Sequence, residues 1–176
     1  MKTLFNENEY FNEDYYERGA ETGKSLYSHY RWMPELTIPM CHHIARYMNL
    51  GDDDKVLDFG CAKGFTVKGL RLLGYKAYGV DVSEYAISQI EEGTRKWCGV
   101  IKPQEPLVCA EGGYDWILCK DILDYLDKKV KQKFDAKKDC AGCVFTNNVN
   151  QLDDFIMGKL NRFAEFGEPL EHENFI

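Results

Sequence analysis

The 176 residues suffice for one domain, and with 44% of them apolar the chain can bury a real core. The 22 basic and 29 acidic side chains give a formal charge of -7, which argues against a nucleic acid held mainly through its phosphates. No apolar run is long enough to span a bilayer and no signal peptide opens the sequence, so a cytoplasmic protein with its seven cysteines reduced is expected.

Residues 1–33 are polar yet crowded with aromatics, among them Tyr10, Phe11, Tyr15, Tyr16, Tyr27, Tyr30 and Trp32. Gly19 and Gly23 interrupt any long helix. An arm covering one edge of the core and a lid over a ligand both fit this stretch. Pro34 and Pro39 bracket a helix start, and Ile38, Cys41, Ile44 and Met48 recur at helical spacing up to Gly51. His42 and His43 are adjacent and point to different sides of that helix, with no cysteine or carboxylate at ligand spacing, so no metal site is expected there. Asp52, Asp53 and Asp54 form a solvated turn, since one short loop supplies poor geometry for a hard cation.

Val56-Leu57-Asp58-Phe59-Gly60-Cys61-Ala62-Lys63-Gly64 is the informative stretch. An apolar run ends in an acid, two glycines bracket three residues, and Phe65, Gly69, Leu70 and Leu73 follow at helical spacing. This predicts a buried parallel strand, a tight turn and a helix. Dinucleotide enzymes want G-x-G-x-x-G, but Ala62 stands at the middle glycine. Gly60 to Gly64 is one residue too short for a phosphate-binding P-loop. Asp58 before the turn would repel a phosphate and attract an ammonium. S-adenosylmethionine, a cationic amine without a pyrophosphate, is such a ligand.

Lys76-Ala77-Tyr78-Gly79-Val80-Asp81 is a second apolar strand ending in an acid, where a carboxylate can accept hydrogen bonds from a ribose. Ser83 then caps a helix with Ala86, Ile87 and Ile90 in one stripe. Residues 96–101 predict a short third strand and Tyr114–Cys119 a fourth. These blocks, Asp58–Gly64, Gly79–Ser83 and Tyr114–Leu123, resemble a class I S-adenosylmethionine-dependent methyltransferase from Val56 to about Asp127.

The resemblance implies an α/β fold: a doubly wound, mostly parallel sheet of about five strands in the order 3-2-1-4-5 with helices on both faces. Residues 1–33 would be the arm or lid, and residues 34–176 the cofactor-binding domain. Asp58 would orient the cofactor's amine, with backbone at Gly60, Cys61 and Gly64 around its methionine portion. Asp81 would hold the ribose and Val82 touch the adenine. Arg31 would pair its planar fork with the cofactor's carboxylate. The end of the fourth strand would bring Cys119, Lys120 and Asp121 toward the methyl group, with Asp121 as general base or substrate anchor.

The third strand is followed by Ile101 and Lys102 rather than the family's usual acid, and Glu111 is a later substitute. Tyr125 stands where many members carry a histidine. The lysines from 128 to 138 make the next helix basic, which fits a solvated face or an acidic partner. Cys140-Ala141-Gly142-Cys143 lacks a second pair at zinc spacing and is read as a turn into a fifth strand, Val144–Asn147, with Asn147, Asn148 and Asn150 at its end. Leu152, Phe155, Ile156, Leu160 and Phe163 make a last helix, leaving too few residues for the family's final hairpin. The sheet's far edge then needs cover from the tail or a second subunit, so a homodimer is expected.

The acceptor is expected to be a small molecule or sugar-like. No Asn/Asp-Pro-Pro-Tyr block and no Pro-Cys nucleophile follows the fourth strand, which argues against methylation of DNA bases. The alternative is a degenerate domain that binds cofactor or serves an assembly without catalysis.

Overall fold

The computed structural model describes residues 7–102 and 113–120. The basic helix, the Cys140–Cys143 turn, the fifth strand, the final helix and the dimer edge expected from the sequence all lie outside these residues, as do Glu111 and Asp121.

Three short helices, α1 (Glu7–Tyr10), α2 (Glu13–Glu17) and α3 (Gly19–Thr22), form the aromatic arm. The long helix α4 runs from Pro34 to Met48. It starts at Pro34, whose missing amide costs nothing at the first helical position, and it carries Pro39 inside rather than at its start. Asn49 ends it, two residues before the expected Gly51, because asparagine tolerates the left-handed cap conformation (φ 52°). Cys41, Ile44, Ala45 and Met48 form its buried stripe.

Strand β1 (Lys55–Phe59) leads through the glycine turn into α5 (Phe65–Leu72), and β2 (Lys76–Asp81) follows. Then come α6 (Glu84–Ser88), α7 (Glu92–Arg95), β3 (Cys98–Val100) and β4 (Trp116–Leu118). β3 is shorter than residues 96–101 because the Trp97 amide still bonds back to the Thr94 carbonyl (3.0 Å), closing the turn after α7. All pairings are parallel and the order is β3-β2-β1-β4, the open α/β sheet expected of a Rossmann-like fold.

Side chains alternate across a strand, so each face of the sheet has its own set. Val56, Ala77 and Leu118 face α4 and α5 and join Cys41, Ile44, Val67 and Leu70 in the core. Leu57 and Ile117, paired in register, point to the other face and are buried as well. Near-continuous burial on both faces is the signature of a parallel sheet. Gly69 allows α5 to lie on α4, since a Cβ there would come within 2.6 Å of the Cys41 sulfur.

The acidic turn before β1 is structural. Asp54 accepts hydrogen bonds from the Gly51 amide (2.8 Å) and the Trp116 indole (3.0 Å), and Asp53 pairs with Lys76 (2.6 Å). Ser83 caps α6 as expected, accepting from the Ala86 amide (3.0 Å), and its hydroxyl donates to the Phe11 carbonyl of the arm (2.5 Å). Ser83→Ala should therefore cost about 1–2 kcal/mol, at the upper end for a cap, because a carbonyl partner is lost with it. Urea denaturation checks this; an unchanged midpoint would show that neither bond contributes.

Candidate functional site

Parallel pairing brings the carboxyl ends of β1 and β2 side by side, with Asp58 opposite Gly79. Asp81 lies two residues beyond Gly79, so both acids face the same side of the sheet. Both are buried, Asp58 at 4% exposure and Asp81 at 7%. The turn descends between them. A Cβ on Gly79 would lie 2.7 Å from both the Cβ and the sulfur of Cys61, so only a bare backbone lets the turn seat on β2.

Gly60, Ala62 and Gly64 have φ of 91°, 48° and 70°. The alanine at the middle-glycine position thus adopts a glycine-like conformation, at a cost of about 1–2 kcal/mol. Asp81 holds it there: its Oδ2 accepts the Ala62 amide (2.7 Å), while Oδ1 accepts the Ser83 amide (2.8 Å). Burial pushes the Asp81 carboxyl up, and the amides of Ser83, Ala62 and Val82 draw it back. The Gly60 and Cys61 amides both bond to the Val80 carbonyl (2.8 and 3.1 Å). The carboxylate placed by the sequence at a ribose therefore first ties the turn to the start of α6. Each of its oxygens has two lone pairs, so the side chain keeps capacity for further donors.

Gly64 faces inward. A Cβ there would meet Ile90 at 3.2 Å and the Cys98 sulfur at 3.4 Å. The Cys61 thiol is raised by the neighbouring Cys98 thiol, then by burial and by Asp58. Its side chain belongs to the core, leaving the backbone of the turn as what a ligand could meet. Cys119, just past β4, is also buried, and Val82 is half-buried beside Asp81.

The arm packs against this edge. The Lys63 ammonium, in the turn itself, meets the Glu17 carboxylate of α2 and donates to the Tyr30 carbonyl (2.7 Å). Glu17 also accepts from the Tyr85 hydroxyl of α6 (3.0 Å) and pairs with His29 (2.9 Å). Burial pushes the Glu17 carboxyl up, but its bonds to Lys63, Tyr85 and His29 outweigh this and leave it lowered. Tyr16 is buried and stacked with Tyr85 at 6.1 Å; its burial and the nearby Asp81 raise its hydroxyl. Tyr30 and Trp32 lie 4.9 and 5.8 Å from Phe65 at the start of α5, and Lys68 sits 4.6 Å above Trp32. Arg31 is exposed and has no hydrogen bond or ion pair among the described residues.

Of the residues expected from the sequence, the fold gathers Asp58, Gly60, Cys61, Gly64, Asp81 and Val82 at one edge, with Cys119 at the end of the adjoining strand. Glu17, Lys63, Tyr16 and Tyr85 are the additions. A lysine inside a tight turn between Ala62 and Gly64 was a signal that some acid must meet it, but sequence alone does not say which of the 29. Among the described residues no group of His, Cys, Asp and Glu could hold a metal, and no helix is long and apolar enough to cross a membrane.

The sheet order, the glycine turn after β1 and the acid ending β2 define a Rossmann-like α/β fold, the fold also of class I methyltransferases. No protein-family model matches the chain, and no curated protein does. Solved structures similar to it include the glycopeptide N-methyltransferase MtfA complexed with sinefungin, 10% identical with a TM-score of 0.44, over 59% of this chain and 49% of that one. Others are an S-adenosylmethionine-dependent methyltransferase from Aquifex aeolicus (17%, TM-score 0.44, 64% and 69%) and coclaurine N-methyltransferase bound to N-methylheliamine and S-adenosylhomocysteine (21%, TM-score 0.40, 49% and 27%). The chain spans between 37% and 49% of the length of the first three solved structures it matches.

Proposed function

We propose that this chain binds S-adenosylmethionine and directs its methyl group to a small-molecule or sugar-like acceptor. One observation carries the reading. Two buried carboxylates stand on neighbouring strand ends, on one face, with a left-handed turn seated between them. That arrangement suits a ligand with a cationic amine at one end and a ribose diol at the other. It suits a pyrophosphate poorly, because Asp58, just before the turn, would repel it.

When bound, the cofactor supplies an electrophilic methyl on a sulfonium. The protein's part is to align the acceptor with that methyl and to exclude water. Asp58 would take the amine and Asp81 the ribose, with Val82 beside the adenine. The turn backbone from Gly60 through Cys61 to Gly64 would follow the methionine portion, and Cys119 would border the methyl's region. Arg31, whose guanidinium has no other partner among the described residues, would take the carboxylate. Asp121, next in sequence to Lys120, is the proposed base or acceptor anchor.

Calorimetry with S-adenosylmethionine and S-adenosylhomocysteine tests the reading, followed by transfer of a labelled methyl to extracts of small molecules. Binding of both and label in a product are expected; absence of binding by either would end the assignment. Arg31→Met should weaken S-adenosylhomocysteine about tenfold without altering the melting temperature, as expected for one exposed charge-assisted contact. Arg31→Lys should fall between. Equal affinity in all three proteins would remove Arg31 from the site.

A further inference from the structure

We infer that Glu17 sets the charge of the glycine turn and thereby makes the site prefer the cationic sulfonium cofactor over its neutral thioether product. The inference rests on the cofactor assignment above and adds a discriminating residue to it. Lys63 is the observation that demands it. A lysine in the turn, with its side chain only 9% exposed, adds a buried positive charge to the segment that the proposed ligand would follow. Such a charge would repel both the amine and the sulfonium.

Glu17 answers that charge from the arm. Its carboxylate meets Lys63, and the Tyr85 hydroxyl and His29 ring hold it in place from two sides. The Tyr30 carbonyl at 2.7 Å and the Tyr30 ring at 5.9 Å complete the ammonium's surroundings. With Lys63 neutralised, the turn sets no net positive charge against the strand-end acids. The sulfonium cofactor and the thioether product share their amine, carboxylate and ribose and differ by one charge at sulfur. A change in the turn's charge must therefore act on one more than on the other, whereas a loosened arm acts on both alike.

The experiment is calorimetric titration of S-adenosylmethionine and S-adenosylhomocysteine at low ionic strength into the wild type, Glu17→Gln and the Glu17→Gln/Lys63→Met double variant. Glu17→Gln should weaken the sulfonium ligand about tenfold more than the thioether. The double variant, with neither charge, should return to the wild-type ratio of the two affinities. Equal weakening of both ligands by Glu17→Gln, or an altered ratio in the double variant, overturns the inference while leaving cofactor binding intact. If Glu17→Gln does not fold, Lys63→Met takes its place: a ratio shifted toward the sulfonium ligand supports the inference, and an unchanged ratio overturns it. A wild type that binds neither ligand sinks both this inference and the assignment beneath it.

Discussion

Asp81→Asn is expected to weaken S-adenosylhomocysteine by about 100-fold or more and to destabilise the fold by about 1–3 kcal/mol. The substitution keeps shape and volume but exchanges one acceptor oxygen for a donor. In the native fold the Ala62 amide points at one oxygen and the Ser83 amide at the other. Whichever way the new amide turns, its NH2 group faces a backbone N–H, and that buried donor loses its partner. If Ala62 loses, nothing offsets the left-handed conformation the alanine must keep, and the turn relaxes. If Ser83 loses, the start of α6 and its link to Phe11 loosen. Either way the lost charge removes the strongest acceptor a ribose could find. Urea denaturation and calorimetry measure the two effects. Affinity within a factor of about three of wild type would show that Asp81 serves the backbone alone.

Gly79→Ala should cost about 3 kcal/mol, a large share of a domain's total stability. The added methyl would stand 2.7 Å from the Cβ and sulfur of Cys61 and 2.9 Å from a methyl of Val67. Neither neighbour can yield cheaply, since Cys61 is 4% exposed and Val67 wholly buried. Relief requires lifting the turn off β2, which separates Asp81 from the Ala62 amide, so cofactor binding should fall with stability. Gly93→Ala is the control. It lies within α7 with nothing within 4 Å of a new Cβ, so it should be neutral or stabilising by about 0.5–1 kcal/mol. Similar melting temperatures for the two variants would contradict the packing described for the turn.

The strand-turn-helix unit around Gly60 was legible because its signals are local. An apolar run bounded by turn residues, a helical stripe and a serine cap all act within a few residues of one another, and β1, α5, β2 and α6 appear where those signals lie. Boundaries were less legible. The end of α4 at the left-handed Asn49 and the short β3 depend on cap conformation and a few backbone hydrogen bonds, which periodicity does not register. The reading of Gly64 shows a subtler limit. Two glycines in one turn look alike in sequence, yet Gly64 turns its bare side to Ile90 and Cys98 and so serves packing.

The arm was hardest to read. Its aromatics announced burial but not a partner, and its glycines argued only against a long helix. Glu17 lies 46 residues from Lys63 and 68 from Tyr85, and nothing local distinguishes it from its acidic neighbours. By itself the sequence determined the parallel Rossmann-like sheet and the two acids at its edge, because hydrophobic spacing and turn chemistry operate over short stretches of chain. Only the tertiary structure decided that Asp81 holds Ala62 in its left-handed form and that Glu17 meets the lysine in the turn. Those choices depend on which distant charges burial brings together, and the cost of leaving either one unpaired is felt only after the chain has folded.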